Sequence, residues 1–147
     1  MRIREARESD LPLILPLYGQ LGIDDGSILP LEQARAIFQR LQSYPDYKLW
    51  VAEVAGEIQG VMALLIMDNL GHRGAPSAVV EDVVVREEQR GRGIGREMLR
   101  FALDRAREKG CYKLALSSNR MRERAHRFYE NLGFQKHGYS FLVEFKG

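Results

Sequence analysis

The chain has 147 residues, 45% of them hydrophobic and 29% charged, which suits one substantial core and leaves too little for two independent ones. Lys and Arg number 22 against 20 Asp and Glu; the net charge of +2 excludes a general polyanion binder, and the single Cys111 excludes a disulfide framework or a thiolate metal set within one chain. No run approaches a membrane span and the N-terminus MRIREARESD lacks an apolar leader core, so one domain over residues 1–147 is expected in the cytoplasm, with neither membrane nor nucleic acid as partner.

In chain order, Met1 to Ala6 alternates as a short strand. Ser9 or Asp10 can cap a helix with Pro12 in its first turn, and Leu13, Ile14, Leu17 and Leu21 give it an apolar stripe. Residues 22–30 (GIDDGSILP) break the pattern, and Ala34, Ile37, Phe38 and Leu41 restore it over Leu31 to Leu41. Lys48 to Val54 and Ile58 to Met67 are β-rich runs joined by Ala55-Gly56-Glu57, a hairpin connection. After the turn-rich 68–77, Ala78 to Arg86 reads as a third strand.

Gly95 to Lys109 carries the clearest helical stripe, Ile94, Met98, Leu99, Ala102, Leu103 and Ala106, and Gly110 stands at its C′ position. Tyr112 to Ser118 is a strand, predicted parallel to its predecessor because a helical crossover joins them. Arg124 to Asn131 forms a short helix stopped by Gly133, and Phe134 to Phe145 reads as one or two closing strands. The fold class is α/β, a mixed and mostly antiparallel sheet with helices on its faces.

The organising feature is Gln89 to Gly95, QRGRGIG, at the turn from strand to helix. The first N–H groups of a helix have no internal acceptor and carry the positive end of its dipole, and glycine lets an anion approach the backbone. Arg86, Arg90, Arg92, Arg96 and Arg100 crowd this turn, and Arg120, Arg122, Arg124 and Arg127 form a second cluster. The dinucleotide and kinase patterns fail, because Arg96 stands where the third glycine belongs; a Walker loop fails for want of Gly-Lys-Ser/Thr. Glu81, inside an apolar strand, is costly unless paired or used; Asp82 is its less favoured substitute.

Arg90-Gly91-Arg92-Gly93-Ile94-Gly95, after a strand bearing an acidic residue and before Tyr-Glu-Asn-Leu-Gly-Phe, resembles the GCN5-related N-acetyltransferase superfamily. The resemblance covers most of the chain, since the order of elements matches too. It implies an acetyltransferase that moves the acetyl group of acetyl-CoA to a primary amine by direct transfer in a ternary complex. It also implies that Arg90, Gly91, Arg92, Gly93, Ile94, Gly95 and Arg96 bind the pyrophosphate, that Val83, Val84 and Val85 pair with the pantetheine arm, and that Asn119 reaches the CoA arm, although the Asn119 to Tyr129 interval is longer than the family's usual one. Glu81 would be the base that deprotonates the amine and Tyr129, in FYENLGF, the group that protonates the departing thiolate.

The segment SSNRMRERAHRFYENLGF is similar to that of aminoalkylphosphonate N-acetyltransferases, and Val-Glu-Asp-Val-Val-Val to that of glucosamine-6-phosphate N-acetyltransferases. Both imply a small-molecule amine carrying a phosphorus oxyanion, and the second arginine cluster is either a binding group for it or a solvated helix face. A protein or peptide acetyltransferase and a CoA-binding sensor stay open as alternatives, and a homodimer is a family-level expectation. Cys111 is expected in the core, and His72 and His126 at the surface with no metal site; Asp24 and Asp25 either bind a cationic amine or make a turn.

Overall fold

The structure, a computed structural model, describes residues 1–22, 24–117 and 123–145, without the side chains of 123 and 124. The chain divides into two units, Met1–Ala115 and Leu116–Gly147. The first runs β1 (Arg2–Glu5), α1 (Leu11–Tyr18), α2 (Leu31–Leu41), β2 (Tyr47–Val54), β3 (Glu57–Met67), β4 (Ser77–Val85) and α3 (Ile94–Glu108), and β5 (Lys113–Leu116) lies at the junction. The strands line up in sequence order, β1-β2-β3-β4-β5, with the pairs from β1 to β4 antiparallel. The Tyr112 N–H donates to the Pro76 carbonyl at 2.9 Å, so β5 begins beside the beginning of β4.

The hairpin between β2 and β3 turns on Ala55 and Gly56, with φ of 51° and 80°. Both are left-handed, and such a turn matches the twist of the paired strands. One face of the sheet takes α1 and α2: Ile14, Leu17, Ala34 and Phe38 pack with Val51, Val61 and Val84. The other face takes α3, which buries Ile94, Met98, Leu99, Ala102 and Ala106. A Cβ on Gly60 would stand 2.8 Å from the Met98 Sδ and 3.1 Å from the Val84 carbonyl oxygen. Glycine at this point therefore lets the first turns of α3 lie close on β3, which fixes where that helix begins. Trp50 and Phe101 pack at 4.7 Å between ring centroids, with the Arg105 guanidinium 5.2 Å from the Trp50 ring.

Asp10 does more than the cap expected of it. Its side chain makes no capping bond to α1; it takes two bonds from the Arg4 guanidinium at 2.8 and 3.0 Å and a third from the Arg7 N–H at 2.7 Å, while Arg4 Nε reaches Glu53 at 3.0 Å. The group ties β1 and β2 to the start of α1. The Arg4 hydrogen bond holds the Asp10 carboxyl below its usual range against the opposing effect of burial. A depressed carboxyl stabilises the fold above its unfolded pKa, and that contribution is lost as pH falls through the folded value. Asp10→Asn is expected to cost about 2 kcal/mol at pH 7. In urea titrations its gap from the parent chain should close as pH falls below about 4; an unchanged gap would mean that Asp10 carries no such linkage.

Among the described residues no helix is long and apolar enough to cross a membrane. Cys111 is half-buried rather than in the core, its thiol pushed up by burial and then by Asp46. His72 is exposed as expected, yet it stacks on Tyr112 with centroids 3.9 Å apart.

The second unit holds α4 (Glu123–Asn131). Its end is closed by the Phe134 N–H donating to the Tyr129 carbonyl and the Gly133 N–H to that of Glu130, with Gly133 at φ 96°. That is the double bond of a left-handed helix stop, as the glycine implied. The closing strands expected over Phe134 to Phe145 are not formed. Residues 134–145 have no ladder among the described residues, and Tyr139, Phe141, Leu142, Val143 and Phe145 are exposed. Alternation and β-forming residues make a strand only where a neighbouring edge accepts its N–H and C=O groups.

Candidate active site

β4 does not alternate through its centre. Ala63 pairs with Glu81 and Val61 with Val84, so Met62 faces both Asp82 and Val83. This is a β-bulge, and its extra residue, Asp82, sits at φ 51°. Aspartate is among the few side chains that tolerate that region, and a bulge sharpens the local twist and redirects the strand beyond it. The two-residue period of a regular strand would send Glu81 and Val84 to opposite faces. The bulge puts them on one face, the α1 and α2 side, and leaves both Glu81 and Asp82 exposed. Neither carboxylate has a hydrogen bond or ion pair among the described residues.

Two phenols stand close to these carboxylates. Tyr18, the last residue of α1, is raised well above the usual tyrosine range by burial, then by the charges of Asp82 and Tyr47. Tyr47, the first residue of β2, is raised by burial and then by Glu81 and Asp82. A dent of about 40 Å³ opens beside Glu81, lined by Tyr47, Ala63, Leu65, Val79 and Glu81.

Past β4 the chain makes a short turn over Glu87–Gln89, runs through Gly91 and Gly93 at φ 80° and 83°, and enters α3 at Ile94. Among the described residues no backbone carbonyl accepts from the N–H groups of Gly91, Arg92, Gly93, Ile94, Gly95 or Arg96; the Arg90 N–H is taken by Glu87, and the first bond into the helix is from Glu97 to Gly93. A Cβ built on Gly91 or Gly93 would meet nothing within 4 Å. Free donors in open space at a helix start can hold a phosphate-like anion, and the backbone turns through left-handed values that only glycine adopts freely.

The arginines divide. Arg90, Arg92, Arg96 and Arg100 are exposed and make no ion pair among the described residues. Arg86 does not serve the turn: its guanidinium is held by the Gln59 side chain at 2.9 Å and the Ile58 carbonyl at 3.2 Å. Val83 and Val85 are half-buried and Val84 is buried, with Gly60 opposite Val85 on the β3 side.

Tyr129 belongs to the second unit. It is half-buried, with Phe128 and Phe134 at 5.6 and 6.0 Å between ring centroids. Asn119, Arg120 and Arg122 lie outside the described residues. Among the described residues no three His, Cys, Asp or Glu side chains gather as a metal site would need. Asp24 and Asp25 are exposed and left-handed, with the Ser27 N–H closing the turn on the Asp24 carbonyl. Reading residues in order missed Tyr18 and Tyr47; the only sign of them was an aromatic at the end of one apolar stripe and another at the start of a strand.

Residues 17–134 match the model of the Acetyltransferase (GNAT) family. The chain is 32% identical over 137 residues to glucosamine 6-phosphate N-acetyltransferase of Trypanosoma brucei brucei, covering 93% of this chain and 90% of that protein. It is 32% identical over 143 residues to thialysine N-epsilon-acetyltransferase of Bos taurus, covering 90% and 83%. Several other relatives are longer proteins, of which the chain spans 41% to 54%. Among solved structures, a putative acetyltransferase from Agrobacterium tumefaciens str. C58 superposes with a TM-score of 0.92 at 35% identity, covering 98% of this chain and 99% of that one.

Proposed function

Since the chain belongs to the acetyltransferase (GNAT) family and is an acetyl-transferring enzyme, we propose that it moves the acetyl group of acetyl-CoA to a primary amine of a small molecule while both substrates are bound. The observation that carries the co-substrate is the run of N–H groups from Gly91 to Arg96 that donate to no backbone carbonyl among the described residues, with open space at Gly91 and Gly93 before the start of α3. A pyrophosphate has the charge and the acceptor oxygens to use them, and Arg90, Arg92 and Arg96, which make no ion pair among the described residues, stand in and just after the turn. The match to the family model runs through both units, which supports one acetyltransferase domain over 1–147.

Glu81 takes the role of base. A lysine-like amine titrates near 10 and carries a proton at neutral pH, so it must lose one before its nitrogen can form a bond to the thioester carbonyl carbon. Glu81 accepts that proton, directly or through a water. The C–S bond then breaks, Tyr129 gives its phenolic proton to the leaving sulfur, and the second proton lost from nitrogen restores the phenol. In balance, acetyl-CoA and R–NH3⁺ yield R–NH–CO–CH3, CoA–SH and one proton returned to solvent. Val83 to Val85 orient the thioester by pairing with the pantetheine amides as a short added strand.

The small-molecule acceptor is supported by relatives named for glucosamine 6-phosphate and thialysine, each an amine of low mass. The test is release of free CoA thiol from acetyl-CoA across aminophosphonates, amino sugars, amino acids, polyamines and peptides. Release that depends on a small amine is expected; acetyl-CoA binding without release from any amine would make the protein a sensor, and release only with peptides would make it a protein acetylase. Tyr129→Phe should lower kcat about 10-fold or more with acetyl-CoA affinity little changed. Full activity in that variant would return Tyr129 to a packing role beside Phe128 and Phe134.

A further inference from the structure

The dent beside Glu81 has a shape that follows from sheet register. Leu49, Ala63 and Glu81 stand in one row across β2, β3 and β4, and Tyr47, Leu65 and Val79 in the next. All six lie on one face. Tyr47 and Glu81 are therefore diagonal neighbours on strands two apart, about 10 Å between strand axes. The residue between them is Ala63, whose methyl is too short to fill that span. Any larger side chain there would close the space, so the dent exists because residue 63 is alanine.

Its volume, about 40 Å³, is that of a few waters, since one occupies roughly 10–15 Å³ on the same measure. That holds an ammonium and the carbon that bears it with about one non-hydrogen atom to spare, so each further branch on that carbon crowds the walls. The walls suit the same group. Ala63, Leu65 and Val79 make an apolar sleeve, while Glu81 at one end and Tyr47 at the other supply a carboxylate and an aromatic ring with a phenol. An ammonium is attracted by both a carboxylate and the face of an aromatic ring. Asp82 adds a second negative charge felt by Tyr47 and by Tyr18.

We propose that Tyr47 is a positioning residue of the acceptor site and that the Ala63 dent selects cationic primary amines borne on an unbranched carbon. The inference rests on the reading of Glu81 as the base and names the acceptor class for that site. Tyr47 holds the ammonium over Glu81 from the opposite end of the sleeve, and Ala63 sets how wide the carbon next to nitrogen can be. An amine on a ring or branched carbon is crowded there and reaches Glu81 less readily.

The test compares two diamines, 1,5-diaminopentane, whose nitrogens sit on unbranched carbons, and 2,6-diaminoheptane, whose nitrogens sit on branched ones, with glucosamine 6-phosphate as a ring amine. The parent chain is expected to prefer 1,5-diaminopentane by 10-fold or more in kcat/KM. Tyr47→Ala should raise the diamine KM about 10-fold with kcat within a few-fold and the acetyl-CoA KM unchanged, and Tyr47→Phe, which keeps the ring, should recover much of that loss. Ala63→Gly should narrow the preference by admitting the branched amine. Equal or better turnover of the branched or ring amine by the parent chain, or a Tyr47→Ala variant with an unaltered diamine KM, would overturn the inference and leave acetyl transfer intact. No thiol release from any amine, with acetyl-CoA still bound, would sink both readings together.

Discussion

Glu81→Gln is expected to lower kcat by roughly 10²- to 10⁴-fold at neutral pH, the range that a positioned general base contributes. The substitution keeps the length and shape of the side chain, and residue 81 is exposed and makes no ion pair among the described residues. Little folding energy is at stake, so the loss would report chemistry. The pH profile decides the role. The parent enzyme uses the protonated amine and removes its proton in place, whereas the variant depends on the neutral amine already present in solution. Since that fraction rises about tenfold per pH unit below the amine's pKa near 10, activity of the variant should climb with pH and partly recover. A flat profile at the parent's level would remove Glu81 as the base and move attention to Asp82, its neighbour across the bulge.

Gly93→Val is expected to weaken acetyl-CoA binding about 100-fold or more in calorimetric titration. Two things change at once. A β-branched residue at φ 83° is a backbone outlier, so the turn must shift and with it the aim of the N–H groups that follow. Each charge-assisted hydrogen bond is worth about 1.5–3 kcal/mol, and losing two of them reaches a hundredfold. The same position also separates binding from folding. A Cβ on Gly93 would meet no protein atom within 4 Å, so the added side chain starts in open space and the main cost to folding is conformational, about 1–2 kcal/mol. Unaltered affinity in a folded variant would take the glycine turn out of the co-substrate site.

These two residues were legible for different reasons. Gly91, Gly93 and Gly95 announce a helix start that leaves room for a ligand, and a charged residue inside Val79 to Val85 announces expense without a structural return. Both are properties of a local stretch; the glycines do stand before and at the start of α3, whereas Glu81 is exposed, so the burial expense expected of it is not incurred. Tyr47 and Ala63 were not legible. Neither is unusual in its own segment, and they matter only because β3 brings one between the other and Glu81. The closing strands over residues 134–145 failed in the opposite sense. Phe134 to Phe145 has the residue types of a strand, but pairing is a property of two segments, and one segment's sequence does not say whether an edge is offered to it.

By itself the sequence determined the order of strands and helices as far as Asn131, the glycine turn before α3, the left-handed stop at Gly133 and the family that these features resemble, because each depends on residues a few positions apart. Tertiary structure alone decided the bulge at Asp82, which undoes the two-residue period and brings Glu81 and Val84 to one face. It also decided the dent above Ala63 and the placing of the half-buried Tyr18 and Tyr47 near two carboxylates. Register across three strands sets those positions, and register is settled by the packing of the whole sheet against α1, α2 and α3.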